Sequence, residues 1–257
     1  VDRDGDAPDG NTTDGDSTDA ESPPEDGLPI NELFYSLQGE GRLAGTPSVF
    51  VRTSGCNLRC WFCDSYHTSW EPTHAWQSID EIVDAVEDYD DADHVVLTGG
   101  EPLIHDAAVD LIERLDAAGY HVTVETNGTI HRDAPIDLAS VSPKLSNSTP
   151  TAERDPAGDG EWAERHDDRR IDLDALTALV EDYETQLKFV VADDGDLPEI
   201  LDLLDRLRDA ADVPIPNDRV LLMPEGATRE RLAETRERVA DLALEHGFRY
   251  TPRLHVD

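Results

Sequence analysis

Short apolar runs alternate with longer amphipathic stretches along most of the chain. Six runs rich in valine or leucine read as β-strands: Pro47 to Thr53, His94 to Thr98, Tyr120 to Thr126, Ala139 to Ser142, Gln186 to Val191 and Arg219 to Met223. Five segments carry apolar residues at helical spacing: Ile79 to Tyr89, Ala107 to Ala118, Leu173 to Tyr183, Leu197 to Ala210 and Arg229 to His246. In the fourth, Leu197, Ile200, Leu201, Leu204 and Leu207 form one stripe, as a helix packed on a sheet requires. Strands separated by helices predict an α/β fold with a parallel sheet, whose function sits in the loops beyond the C-terminal strand ends.

Two polar stretches break the rhythm. Residues 1–28 hold ten acids, one arginine and no aromatic residue, too little apolar area to offset chain entropy, so a disordered acidic tail is expected there. The other, residues 147–170, reads as a polar surface insertion that leaves the site alone, because regular segments resume after it. One domain is therefore expected over residues 29–257.

Charge sharpens this picture. The 257 residues include 58 acids against 21 bases, a formal net charge of −37, and only Lys144 and Lys188 are lysines. Such a surface has no general basic face for a phosphate backbone, which excludes direct nucleic-acid binding of that kind. No apolar run is long enough for a membrane helix, and the first residues carry no basic-then-apolar signal, so a cytoplasmic protein is expected. Acids spread along every helix, with lysine almost absent, fit a halophilic protein in molar salt, where screening shortens to about 3 Å.

All three cysteines fall within eight residues, Cys56, Cys60 and Cys63, directly after the first predicted strand. An odd, clustered set of soft thiolates points to a metal instead of a disulfide framework. Three thiolates suit a 4Fe–4S cluster with one open iron. A zinc site completed by His67 or His74 is the alternative, as is a simple iron–sulfur electron carrier, which would want a fourth cysteine. After the next strand comes Thr98-Gly99-Gly100-Glu101-Pro102, where glycines allow a backbone to approach a ligand and an acid can meet an ammonium. Together, the Cys-x3-Cys-x2-Cys spacing and the Gly-Gly-Glu-Pro turn resemble the radical S-adenosylmethionine (SAM) superfamily. That resemblance implies a partial (β/α)6 barrel and an electron from the cluster that splits SAM into a 5′-deoxyadenosyl radical.

More specific are Ser36-Leu37-Gln38-Gly39-Glu40-Gly41, the run from Phe50 to Asp64, Glu125-Thr126-Asn127-Gly128 and Ser142-Pro143-Lys144. Arg52, at the end of a buried strand, is costly to bury unless it holds an anion or a local carboxylate. These motifs resemble the 7-carboxy-7-deazaguanine synthase family over roughly residues 30–255. The resemblance implies a carbon–nitrogen lyase-type enzyme that converts 6-carboxy-5,6,7,8-tetrahydropterin to 7-carboxy-7-deazaguanine with loss of ammonia, towards archaeosine or queuosine in transfer RNA. It implies a 4Fe–4S cluster on Cys56, Cys60 and Cys63, with magnesium on Ser65. Pterin contacts would come from Leu37, Gln38, Gly39, Glu40, Arg52, Thr98 and His255. SAM contacts would come from Phe62, Cys63, Asp64, Gly100, Glu101, Ser142, Pro143, Lys144, Met223, Pro224, Glu225 and Gly226, with Asn127 and Lys188 as further pocket residues. A homodimer and an external one-electron donor of flavodoxin or ferredoxin type are also implied.

The family pattern places the C-terminal region over the substrate and commonly runs a few residues beyond Asp257. Rival readings are a glycyl-radical-enzyme activase, which shares the cysteine spacing but needs no Ser-Leu-Gln-Gly-Glu-Gly, and a zinc-binding module without catalysis. The charge reading yields a test of its own. Dialysis to about 10 mM salt, where screening reaches about 30 Å, should lower the melting point and remove the circular dichroism of the fold. An unchanged spectrum and melting point would contradict the halophilic reading.

Overall fold

The computed structural model describes residues 24, 26–156 and 158–256. The tail expected at residues 1–28 thus lies outside the described residues except at its end. There, Gly27 and Leu28 already belong to the first strand, and Leu28 is fully buried, so order begins inside the stretch read as tail.

Among the described residues, the strands are β1 (Gly27–Leu37), β2 (Pro47–Thr53), β3 (Ala75–Ser78), β4 (His94–Gly99), β5 (His121–Thr126), β6 (Leu138–Val141), β7 (Thr185–Val191), β8 (Val220–Pro224) and β9 (Arg249–Tyr250). The helices are α1 (Tyr66–Ser69), α2 (Ile79–Glu87), α3 (Ala107–Ala117), α4 (Ala163–Arg169), α5 (Leu173–Asp182), α6 (Leu197–Ala210) and α7 (Arg229–His246). The strands form one open sheet in the order β3-β1-β2-β4-β5-β6-β7-β8-β9. From β2 to β9 every neighbouring pair is parallel. All six strands and five helices expected from the pattern appear, shifted at their ends by a residue or so.

The strands form where they do because they are buried on both faces. Val95, Val96 and Leu97 of β4 are all fully buried, the continuous apolar run of a central parallel strand. The helices supply the cover. In α6 the buried stripe is Ile200, Leu203, Leu204 and Leu207; Leu197 and Leu201, expected in it, are only partly buried. Local capping fixes where helices start: Ser78 and Glu81 form a capping box on α2, and Asp172 and Thr228 cap α5 and α7.

The missed strand β1 uses its two halves differently. Gly27 to Ile30 pairs antiparallel with β3, while Ile30 and then Glu32 to Leu37 pair antiparallel with β2, with a bulge between Ile30 and Glu32. This change of partner explains why no simple alternation marks it as a strand. Its register sets Leu37 beside Pro47 at the start of β2, so residues 36–40 reach the cleft from the end of the sheet opposite Thr53.

The core makes a direct stability prediction. Leu97→Ala should destabilise the fold by about 2–5 kcal/mol, as large-to-small changes in packed cores do. Leu244→Ala, at a side chain 80% exposed, should change it by under about 0.5 kcal/mol. Denaturant melts of both variants at one high salt concentration check this contrast.

Candidate functional site

The C-terminal strand ends and the loops beyond them enclose a cleft of about 360 Å³. One wall is the cysteine loop. Gly55 opens it, with its N–H donating to Thr68 O at 2.7 Å, and Cys56, Cys60 and Cys63 all line the cleft as free thiols. Leu58 N–H donates to Cys56 Sγ at 3.4 Å and Ser69 Oγ to Cys63 Sγ at 3.2 Å. Burial pushes the Cys56 and Cys60 thiols up to about 12 and raises Cys63 as well. The thiols therefore stay protonated until a strongly cationic centre draws them into ligation.

The Gly-Gly turn packs directly against that loop. Gly99 has φ +137°, and a Cβ there would stand 2.1 Å from Thr53 O; at Gly100 it would stand 2.1 Å from Gly55 O and 2.9 Å from Cys56 Cβ. Glu101 departs from its expected role. Its carboxylate is fully buried, accepts from Leu103 N, Thr126 Oγ1 and Asn127 N, and does not line the cleft. Burial raises its pKa to about 7 although the Asn127, Leu103 and Thr126 hydrogen bonds lower it. It joins the ends of β4 and β5 instead of meeting a ligand. Pro143 and Pro224 likewise lie behind the cleft surface, whereas Ser142, Lys144, Met223, Glu225 and Gly226 reach it. Phe62, Asp64 and Gly100 line it as expected.

Opposite the cysteines stands a wall of charged and polar groups. Glu40 is held by Lys188 Nζ at 2.6 Å and Arg253 Nε at 3.2 Å, with His255 Nε2 at 3.7 Å. Burial alone would raise the Glu40 pKa, but the charges of Lys188 and then Arg253 outweigh it and hold the carboxyl at about 2. Arg253 also pairs with Asp64 and donates to Gly226 O at 2.7 Å. Gln38 has a fixed orientation: its Oε1 accepts from Glu40 N at 3.1 Å and its Nε2 donates to Glu125 Oε1 at 3.2 Å. Thr98 Oγ1 donates to the other Glu125 oxygen at 2.8 Å. Arg52 donates to Ser65 Oγ at 2.8 Å and lies over the Phe34 ring. Its Nε is 3.2 Å from Glu32 Oε2 but lacks hydrogen-bond geometry there. Leu37 and Gly39 complete this wall, and His255 packs on Gly39 so closely that a Cβ there would meet its Nδ1 at 2.4 Å.

Lys188 and Asn127 line the cleft, and Asn127 Nδ2 donates to Asn57 Oδ1 at 2.9 Å. Glu125 and Arg253 were not singled out from sequence. Glu125 stood in a visible motif, Glu-Thr-Asn-Gly at a strand end, that could have marked it. Arg253 had no such signal, because its partners Glu40 and Asp64 lie some two hundred residues away.

The expectation that residues 147–170 leave the site alone is also corrected. Trp61, between two of the cysteines, donates its backbone N–H to Ser148 O at 3.1 Å and its indole N–H to Asn147 O at 2.7 Å. His166 on α4 is fully buried and accepts Arg59 N–H, and burial keeps its pKa down at about 4. Most charged side chains of the segment face solvent, but Ser148 and His166 turn inward onto the loop.

These donors fit the groups that their chemistry implies. Three free thiols gathered on one wall of the cleft suit the ligation of an iron–sulfur cluster. The glycine pair leaves backbone open beside Cys56 for a ligand on that cluster. Asp64 and Ser65 offer hard oxygen donors, with Ser65 Oγ donating to Asp64 Oδ1 at 3.3 Å, a donor type suited to magnesium.

Comparison with known proteins agrees with this geometry. The Radical SAM superfamily model matches residues 50–144. The 7-carboxy-7-deazaguanine synthase of Halobacterium salinarum is 72% identical over 89% of this chain and 89% of its own length. That of Rhodopirellula baltica is 45% identical over 90% of this chain and 86% of its own length. The crystal structure of QueE from Escherichia coli shares the fold, with a TM-score of 0.63 at 24% identity over 90% of this chain and 96% of that one. With its cysteine loop, its glycine turn and its relatives in agreement, the chain belongs to the 7-carboxy-7-deazaguanine synthase family of radical SAM enzymes.

Proposed function

We propose that the cleft binds 6-carboxy-5,6,7,8-tetrahydropterin beside SAM and that the enzyme forms 7-carboxy-7-deazaguanine with loss of ammonia. The observation that carries this reading is the pairing of a free-thiol wall with a facing wall of preset hydrogen-bonding groups, Gln38, Glu125, Thr98 and Arg52. Cys56, Cys60 and Cys63 would hold a 4Fe–4S cluster, Gly100, Ser142, Lys144, Met223 and Glu225 would hold SAM, and Asp64 and Ser65 would hold magnesium. When bound, the cluster and SAM supply the radical chemistry.

The chain's own residues then position and protect. Arg52 is fixed by Ser65 and Phe34, so its planar guanidinium is set to take the substrate carboxylate. The Glu125 carboxylate, locked by Gln38 and Thr98, is an acceptor for the N–H edge of a pterin. Glu40, ionised between Lys188 and Arg253, fixes the backbone beside Gln38. The strap from Thr251 to His255 covers this wall: Leu254 N–H donates to Gly39 O at 3.0 Å and Gly41 N–H donates to Thr251 Oγ1 at 2.6 Å. Because the polar groups hold and shield, no activated nucleophile is needed.

The same reading extends to the enzyme's surroundings. Every cysteine of the chain belongs to the one loop, so the electron comes from outside, from a donor of flavodoxin or ferredoxin type. Three free thiols fit a reducing, cytoplasmic compartment, and no helix among the described residues is long and apolar enough to cross a membrane.

Incubation of cluster-loaded protein with SAM, reductant and carboxytetrahydropterin, followed by mass analysis, should yield carboxydeazaguanine. Arg52→Ala should keep its iron and its SAM affinity but lose turnover by about a hundred-fold or more, the cost of a misplaced substrate. Normal turnover by that variant would remove Arg52 as the carboxylate anchor. Absence of product from the wild-type protein would remove the reading itself.

A further inference from the structure

The residues on either side of Cys60 are held from outside the cysteine loop. Arg59 gives its backbone N–H to His166 Nδ1 at 3.1 Å, and Trp61 gives its backbone N–H to Ser148 O at 3.1 Å. Both acceptors belong to the segment after Ser142-Pro143-Lys144. We infer that residues 147–170 form a clasp on the cluster loop and that His166 is the positioning residue that sets Cys60 for cluster binding.

The hydrogen bonds fix the state of the ring. Because Arg59 N–H is a donor, Nδ1 of His166 must accept, and the ring proton sits on Nε2. Nε2 lies 2.9 Å from Ser148 Oγ, whose own proton goes to Leu145 O at 2.6 Å. The relay therefore runs in one direction, from Arg59 through His166 and Ser148 to the backbone just past Lys144. Stacking adds to it. The Arg59 and Arg165 guanidinium groups both lie 4.5 Å from the Trp162 ring, and Arg59 Nη1 turns back to Cys56 O at 2.7 Å.

The clasp has a chemical purpose that ordinary packing lacks. A cysteine loop is irregular backbone whose N–H groups must find acceptors. Inside such a loop the nearest alternatives are the sulfurs, as Leu58 N–H to Cys56 Sγ already shows. Hydrogen bonds to ligand sulfurs shift the potential of a cluster and alter its hold. By taking the Arg59 and Trp61 donors, the clasp fixes how many such bonds Cys60 receives.

The inference rests on the cluster reading and not on the identity of the substrate. Its test compares reconstituted wild-type protein with His166→Ala, His166→Asn and Ser148→Ala, and with His94→Ala as control. His94 is a second buried histidine, held by Ser48 at 2.7 Å and Thr123 at 2.8 Å, and it does not line the cleft. Iron loss to a chelator and the electron paramagnetic resonance spectrum of the reduced cluster are read beside the melting point. His166→Ala should lose iron about ten-fold faster, within the range usual for outer-shell partners of a metal site, with altered g-values. His166→Asn, which keeps an acceptor, should recover much of that loss, and Ser148→Ala should show an intermediate effect even if His166→Ala does not fold. His94→Ala should lower the melting point while its iron loss and spectrum stay as in the wild type. Iron loss at the wild-type rate in His166→Ala or Ser148→Ala, or equally fast loss in His94→Ala, would overturn the inference. Wild-type protein that takes up no cluster would overturn the cluster reading with it.

Discussion

A buried carboxylate, Glu40, joins the parts of the chain that make the cleft. Its position follows β1, its partners Lys188 and Arg253 come from β7 and the C-terminal strap, and Arg253 carries the connection on to Asp64 in the cysteine loop. An ion of this kind is costly to bury alone and tolerable only when paired and hydrogen-bonded. Here two cations hold it ionised, with its pKa near 2. Neutralising Glu40 would leave Lys188 and Arg253 without their shared partner, so the wall opposite the cysteines and the strap are set together.

This balance stands out against the rest of the molecule. The chain carries 58 acids and 21 bases, yet Arg52, Lys144, Lys188 and Arg253 line the cleft against Glu40, Asp64, Glu125 and Glu225. Both lysines of the chain are among them. Surface acidity describes the solvent that the protein meets. The matched charges inside the cleft describe its chemistry, and the buried pairs of Glu40 with Lys188 and Arg253 are screened by salt less than charges outside.

Much of this was legible in the sequence because parallel strands write themselves as apolar runs and a cluster writes itself as closely spaced cysteines. Six of the seven parallel strands and the loops holding Cys56, Gly100 and Ser142 could be placed for that reason. Strand β1 was obscured by its change of partner at the bulge. Glu101 was placed correctly in sequence but pointed wrongly, since only the fold shows that Thr126 and Asn127 claim its oxygens. Polarity misled most at residues 147–170, where His166 and Ser148 bond to the cysteine loop instead of to water. Arg253 was invisible because its partnership with Glu40 exists only after the sheet has formed.

Glu40, held by Lys188 and Arg253, presets the wall that faces the cysteines. The most direct measurement is calorimetric titration of cluster-loaded Glu40→Gln protein, at high salt, with carboxytetrahydropterin and with SAM separately. The expected result is a pterin Kd weakened by about ten-fold or more, the scale of a lost hydrogen bond to a charged group, with the SAM Kd unchanged. Wild-type pterin affinity in that variant would contradict it.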